Sequence, residues 1–185
     1  STEEIKQETW LQPHFATAEG ELKSCIQAFV VETQGRRIIV DTCVGNDKPR
    51  ANAGWNQLQG SFLKDLANAG YPAETIDIVL CTHLHIDHVG WNTVLSNGEW
   101  VPTFPNARYL FGRTEWEHWR QEAVGDMAGD IEPDIAEGVM DLIAVNQDSV
   151  QPIIDAGLHE LVDVDHEVSD EVRLEPTPGH TPGHV

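Results

Sequence analysis

The stretch CTHLHIDHVGWN, from Cys81 to Asn92, concentrates side chains that commonly bind metal ions. Four of them fall within six residues: His83, His85, Asp87 and His88. Imidazole and carboxylate ligands together favour Zn²⁺ among the common metals, with Mn, Fe, Co or Ni as alternatives. The stretch therefore predicts a metal-binding loop.

The run before this loop, TIDIVLCT, predicts a short buried strand from Thr75 to Thr82. Alternate side chains of an extended segment point to the same side, so His83 and His85 can reach one metal ion. Asp87 and His88 are adjacent and can converge only if the chain turns, and Gly90 is compatible with such a turn. We expect a loop at the carboxyl end of a buried strand that presents ligands to two neighbouring metal positions.

A second cluster, TPGHTPGHV, occupies Thr177–Val185. Two Pro-Gly turns bracket His180 and restrict the backbone around it. A rigid loop of this kind can bring a distant histidine to the first cluster, and we predict that His180 joins it.

Three motifs together resemble a known family. THLHIDH matches the H-x-H-x-D-H signature of the metallo-β-lactamase superfamily, TPGHTPGH resembles its next ligand-bearing loop, and VDTCVGN resembles its early motif with an Asp after a strand. They occur in the family's order, and the resemblance covers roughly Cys25–Val185. The stretch His88–Trp119 is similar to the branch that includes quorum-quenching lactonases and organophosphate hydrolases.

The resemblance implies a four-layer αβ/βα sandwich with a site for two zinc ions at one edge. The first metal would be held by His83, His85 and His180, and the second in part by Asp87 and His88. Asp41 would orient the loop by hydrogen bonding rather than by ligation. His184 would lie beside the ligands or face solvent.

The chain departs from the family pattern at its ends. The family continues with a strand, a carboxylate that bridges the metals and a late histidine, whereas this sequence stops at Val185. Strands that usually precede Cys25 are absent or shortened. We therefore expect one partial metallo-β-lactamase-like domain over residues 1–185, incomplete at the C-terminus and shortened at the N-terminus. A natural truncation, or a partner chain that supplies the rest, is the alternative.

Strands and helices alternate elsewhere along the chain, the pattern of an α/β fold. Strands are predicted at Cys25–Thr33, Arg36–Thr42, Val94–Val101 (a hairpin turning at Asn97-Gly98), Ala107–Gly112, Leu158–Val164 and Val172–Thr177. The first two strands would form a hairpin through Gln34-Gly35. Helices are predicted at Ser61–Gly70, from Thr114 with Glu117 as a capping box, and over Ile135–Ala156 with a bend at Pro152.

The charge balance excludes several kinds of partner. The 185 residues carry 31 acidic against 11 basic side chains, a formal net charge of −20, which argues against nucleic acid and against anionic membranes. No apolar run approaches the length of about 20 residues that a membrane span needs. Three cysteines without C-x-x-C spacing predict a reducing, cytoplasmic compartment. The sequence leaves the oligomeric state open.

The leading functional prediction is a metal-dependent hydrolase that directs a metal-activated water at a small ester, lactone or related carbonyl substrate. Asp87 would orient this water besides ligating, and residues lining the substrate mouth would be Trp91, Asn92, Trp55 and Asn56. Since the second ligand set is incomplete, a non-catalytic or inactive metal-binding fragment is the alternative. Nuclease and di-iron redox branches of the fold are minor alternatives, because the first needs basic surface and the second typically carries Glu where His85 stands.

Overall fold

The computed structural model describes residues 1–124 and 141–185. Its strands are β1 (Phe29–Thr33), β2 (Arg36–Val40), β3 (Ile78–Cys81), β4 (Thr93–Ser96), β5 (Glu99–Pro102), β6 (Arg108–Gly112), β7 (His159–Val162), β8 (Glu167–Ser169) and β9 (Val172–Arg173). Its helices are α1 (Thr2–Gln7), α2 (Phe62–Asn68), α3 (Arg113–Val124) and α4 (Gln151–Asp155).

Five strands form one sheet in the order β1-β2-β3-β6-β7. The pair β1–β2 is antiparallel, while β2, β3, β6 and β7 run parallel to one another. The carboxyl ends of these four strands therefore meet at one edge of the sheet. The segments that follow β2, β3 and β6 start at this edge, which is where ligands bind in open α/β sheets.

Strand residues alternate between the two faces of the sheet. One face, which includes Ile39, Val79 and Phe111, packs against α2, α3 and α4. The other face, which includes Leu80 and Leu110, packs against the hairpin β8–β9. Full burial of each large apolar side chain contributes about 1.5–3 kcal/mol, so both layers stabilise the sheet. The predicted α/β class is confirmed, and the described residues supply a helical layer, a sheet and a hairpin on its far side.

Both predicted hairpins are confirmed. Gln34 and Gly35 have positive φ angles of 49° and 75°, and Asn97 and Gly98 have 52° and 85°, as tight two-residue turns require. Strand β1 is shorter than predicted. Its ladder ends at the Phe29–Val40 pair because Asp41 leaves the extended conformation at φ 56°.

The helix predictions hold with one correction. Helix α2 follows Ser61 and stops before Gly70, whose φ is 97°. Helix α3 begins at Arg113, directly after β6, so Thr114 lies within its first turn and is not the predicted cap. Of the predicted helix over Ile135–Ala156, residues 135–140 lie outside the described residues. The rest is helical, with a π-helical turn over Asn146–Val150 and Pro152 in the first turn of α4.

The N-terminal segment 1–24 makes its hydrogen bonds within itself, as far as the described residues show. It leaves Trp10, Phe15 and Leu22 exposed. No helix within residues 1–124 and 141–185 combines the length and the apolar character needed to cross a membrane.

Candidate metal centre

Three histidines from two distant loops meet at the carboxyl edge of the sheet. His83 and His85 follow β3, and His180 comes from the C-terminal Pro-Gly loop. One ring nitrogen from each lies within 4.8 Å of the other two, and His85 Nδ1 is 3.0 Å from His180 Nε2. Nitrogens bound tetrahedrally to one zinc ion lie about 3.3 Å apart, so this pair is close to the spacing that such an ion requires.

The hydrogen bonds around His83 leave one of its nitrogens free for a ligand. The Thr82 hydroxyl lies 2.9 Å from Asp41 Oδ2 and 3.1 Å from His83 Nδ1. Because the hydroxyl donates its single proton to the carboxylate, it accepts one from Nδ1. Nε2 then carries the lone pair. This atom is buried and has no hydrogen-bond partner among the described residues, as expected of a metal-binding nitrogen.

The electrostatics of the first histidine pair also suit a metal. Burial, together with the neighbouring imidazoles, lowers the pKa of His83 to about 3. Burial and the nearby His180 lower the pKa of His85 as well. Both rings are therefore neutral near pH 7, and only a neutral imidazole binds a metal ion. The three histidines fit a divalent metal ion.

Asp87 and His88 form a separate set of contacts beside the three histidines. His88 Nδ1 donates to Asp41 Oδ2 at 2.8 Å, and His88 Nε2 lies 3.4 Å from Asp87 Oδ2. Burial lowers the pKa of His88, but the hydrogen bonds to Asp41 and Asp87 outweigh it and raise the pKa to about 9. The hydrogen bond from His88 in turn lowers the pKa of Asp87. Their role as ligands of a second metal stays a prediction.

Asp41 connects the two groups from the end of β2. Its carboxylate accepts hydrogen bonds from the Thr82 amide at 2.8 Å, from the Thr82 hydroxyl and from His88. The loop after β3 is thereby tied to the end of β2, at the strand edge where the histidines lie.

His184 lies beside the three histidines. Its Nδ1 is 2.7 Å from the Thr177 hydroxyl, and its ring centre is 4.7 Å from that of His83. It is half-buried, so it does not point freely into solvent. Its ring nitrogens do not belong to the group of ligand atoms that His83, His85 and His180 form.

Two glycines allow the loops of the site to pack backbone against backbone. A Cβ at Gly90 would lie 1.8 Å from the Val44 carbonyl oxygen, and one at Gly183 would lie 2.3 Å from the Glu115 amide nitrogen. The expected turn lies at residues 86–88, where the His88 amide donates to the His85 carbonyl at 3.0 Å, and Gly90 begins a short 3₁₀-helix, Gly90–Asn92, after it. The segment after β2 therefore packs directly against the metal-binding loop, and the C-terminal loop packs directly against α3.

The residue that sequence reasoning missed is Glu115. It is 1% exposed and accepts hydrogen bonds from the Leu84 and Gly183 amides, one in each histidine-bearing loop. Its position indicates a place near the site, because Glu115 stands three residues after β6, whose carboxyl end adjoins that of β3 in the sheet.

An open pocket of about 470 Å³ adjoins the metal-binding loop. Trp55 and Trp91 line it, together with residues that include Ile26, Cys43 and Leu58. The loop and the pocket share a wall, because the Gly90 amide donates to the Cys43 carbonyl at 2.7 Å. Trp91 also stacks on Phe62, with ring centres 5.6 Å apart.

The two asparagines predicted to line the substrate mouth do not line this pocket. Asn92 is fully buried, and its Oδ1 accepts a hydrogen bond from the Thr42 hydroxyl at 3.0 Å, because the 3₁₀-helix turns this side chain inward. Asn56 is exposed, but its Oδ1 accepts from the Arg50 amide, and it is not among the residues that line the pocket. Neither asparagine therefore lines this pocket, since adjacency to a ligand or to a Trp does not decide which way a side chain faces.

Solved structures with the same fold include hydrolases. The hydrolase AbOPH, of the beta-lactamase superfamily, is 24% identical with a TM-score of 0.68 over 98% of this chain and 55% of its own. A probable metal-dependent hydrolase from Staphylococcus aureus is 18% identical with a TM-score of 0.67, over 96% of this chain and 58% of its own. AidC, a dizinc quorum-quenching lactonase solved with its product, is 24% identical with a TM-score of 0.65, over 100% of this chain and 57% of its own.

These likenesses show the fold, and the chain spans little more than half the length of the structures it matches. No curated protein matches the chain. The family model for the metallo-beta-lactamase superfamily matches residues 26–185, which include every histidine of the site. The chain therefore belongs to the metallo-beta-lactamase superfamily.

Proposed function

We propose that this chain carries the metal-binding part of a hydrolase that directs an activated water at a small ester, lactone or related carbonyl compound. One observation supports this above all: the convergence of His83, His85 and His180, with a buried His83 Nε2 that lacks a partner among the described residues. A nitrogen in this position costs free energy unless a ligand satisfies it.

In the proposed site, His83, His85 and His180 hold one divalent ion, with zinc as the first candidate because of the all-nitrogen ligand set. The ion would supply Lewis-acid chemistry, lowering the pKa of a bound water to about 7 and polarising a carbonyl group. Asp87 is half-buried, and the hydrogen bond from His88 lowers its pKa. It therefore stays ionised near neutral pH, where its carboxylate can accept a hydrogen bond from the attacking water and orient it.

The thiol that lines the pocket does not offer a competing covalent route. Cys43 lines the pocket, but burial and the charges of Asp41 and Asp87 raise its pKa to about 11. It is protonated near neutral pH, and a thiol is a far weaker nucleophile than a thiolate. Direct attack by water is the route that the described residues favour.

The pocket supports a substrate with an apolar substituent next to the reacting carbonyl. Its walls carry the indoles of Trp55 and Trp91 and the aliphatic side chains of Ile26 and Leu58. Such apolar walls bind alkyl or aryl groups, and the side chains of Asn46 and Gln59 add polar groups to the lining.

A second candidate function is metal binding without catalysis. It is favoured by the contacts of His88, which pairs with Asp87 and with Asp41, while neither His88 nor Asp87 joins the three-histidine group. One bound metal ion per chain is compatible with either candidate, whereas two would favour a dinuclear catalytic site.

The test is hydrolysis of a panel of aryl esters and lactones by the full chain. We expect activity that disappears with a chelator, returns with zinc, is lost in His85→Ala and persists in His14→Ala, a control with an exposed histidine. Activity that survives both the chelator and His85→Ala would refute the proposal. A chain that binds metal but hydrolyses nothing in the panel would support the second candidate.

A further inference from the structure

Glu115 is a buried carboxylate that the proposed chemistry does not use. It lies in the first turn of α3 and is 1% exposed. Burying a carboxylate is costly unless hydrogen bonds replace its hydration. The position therefore needs an explanation beyond packing.

Three N–H donors converge on this side chain. Oε1 accepts from the Leu84 amide at 3.1 Å and from the Trp119 indole at 2.6 Å, and Oε2 accepts from the Gly183 amide at 3.0 Å. Leu84 stands between His83 and His85, and Gly183 stands three residues after His180. One carboxylate thus joins the two loops that bring the histidines together.

Trp119 gives Glu115 a second route to the same site. The indole that donates to Oε1 lies with its ring centre 5.2 Å from that of His85. Since Trp119 follows Glu115 by one helical turn, the hydrogen bond restricts the indole and, through it, the plane of the His85 ring.

The contact between Gly183 and α3 leaves no room for a side chain. A Cβ at Gly183 would lie 2.3 Å from the Glu115 amide nitrogen, so the C-terminal loop rests directly on the backbone of α3. With no side chain between them, the Oε2 hydrogen bond sets where this loop stands relative to the helix.

We propose that Glu115 is a positioning residue, whose carboxylate sets the separation between the loop of His85 and the loop of His180. The inference rests on the proposed metal site. His85 Nδ1 and His180 Nε2 are 3.0 Å apart, and metal–ligand distances vary by only about 0.2 Å around their usual values. Loss of the bridge would let the loops drift by more than that. Groups that orient metal ligands in this way typically contribute about 10–100-fold in metal affinity.

The experiment compares Glu115→Ala and Glu115→Gln with Glu117→Ala, an exposed glutamate on the same helix. Gln keeps one acceptor edge, but it turns an N–H₂ group toward the other loop's amide, so it breaks half of the bridge. Three readouts are taken on the full chain. Amide hydrogen exchange at Leu84 and Gly183 is followed by NMR without metal, and Zn²⁺ affinity and the Co²⁺ absorption spectrum are measured well below each variant's melting temperature.

We expect faster exchange at both amides in Glu115→Ala, a loss of about 10–100-fold in Zn²⁺ affinity and an altered Co²⁺ spectrum. Glu115→Gln should be intermediate and Glu117→Ala unchanged. A folded Glu115 variant with wild-type affinity and spectrum would overturn the proposal, and Glu115→Gln decides if the Ala variant does not fold. A wild-type chain that binds no metal would instead refute the proposed function, while the exchange rates would still report on the bridge.

Discussion

Replacing Asp148 with Asn is expected to lower the free energy of unfolding by several kcal/mol, because Asp148 is the anion of a buried cluster with two cations. Arg50 binds its carboxylate through two nitrogens at 2.6 and 2.9 Å, and Lys48 Nζ lies 3.4 Å from Oδ1. The side chains of Lys48 and Arg50 are 0% exposed and that of Asp148 is 6% exposed. Water therefore cannot replace the missing charge.

The magnitude follows from the difference between removing a buried ion pair and breaking one. Breaking a buried pair by neutralising one partner typically costs about 3–5 kcal/mol, since the remaining charge stays buried. Lys48 Nζ would keep its hydrogen bonds to the Thr93 hydroxyl at 2.8 Å and to the Asp148 carbonyl at 3.1 Å, which places the cost within that range rather than above it. Domains are stable by about 5–15 kcal/mol in total, so the loss is a large fraction.

Urea unfolding followed by circular dichroism measures the effect. With a slope of about 2 kcal/mol per M, the midpoint should fall by about 1.5–2.5 M in Asp148→Asn. The control is Asp155→Asn, an exposed aspartate that accepts a hydrogen bond from Gln151 and should change stability by no more than about 0.5 kcal/mol. Equal midpoints for the two variants would show that the buried cluster does not hold the segment Lys48–Gln59 onto the π-helical turn.

Two further predictions concern the stability of the folded chain. Burial lowers the pKa of Lys48 from 10.5 to about 8, so between these two values the unfolded chain binds a proton that the folded chain has released. The free energy of unfolding should therefore rise with pH across this window in the wild type but not in Lys48→Met. Urea unfolding at several pH values measures it, and an equal rise in both proteins would contradict this reasoning. Gly183→Ala should cost about 1–3 kcal/mol or more, because its Cβ would meet the Glu115 backbone at 2.3 Å, whereas at Gly60 the nearest atom to such a Cβ is 3.7 Å away. Thermal melts of Gly183→Ala and Gly60→Ala that shift equally would refute the steric argument.

The local parts of the fold were open to prediction from sequence. The tight turns at Gln34-Gly35 and Asn97-Gly98 and the buried strand before His83 depend on neighbouring residues, so short patterns sufficed. The spacing of His83 and His85 pointed to one metal for the same reason. Bringing His180 to them rested on the rigid Pro-Gly loop and on the resemblance to a family, because its contact with His85 spans 95 residues and has no local spacing.

What sequence reasoning missed depends on long-range packing. The pairing of Lys48 with Asp148 spans 100 residues and has no local signature. Glu115 gained its role from the order of strands in the sheet, which places the end of β6 beside the end of β3. Asn92 was assigned to the pocket through its position after Trp91, but a turn of 3₁₀-helix carries its side chain into the core.

We propose above all that His83, His85 and His180 form one metal centre. Its most direct test is the zinc content of the full chain, stripped with a chelator, reloaded and dialysed, and measured by elemental analysis. We expect at least about one zinc ion per chain in the wild type and in His14→Ala, and a loss of that ion in the His83→Ala, His85→Ala, His180→Ala triple variant. Equal zinc content in the folded triple variant and the wild type would contradict it.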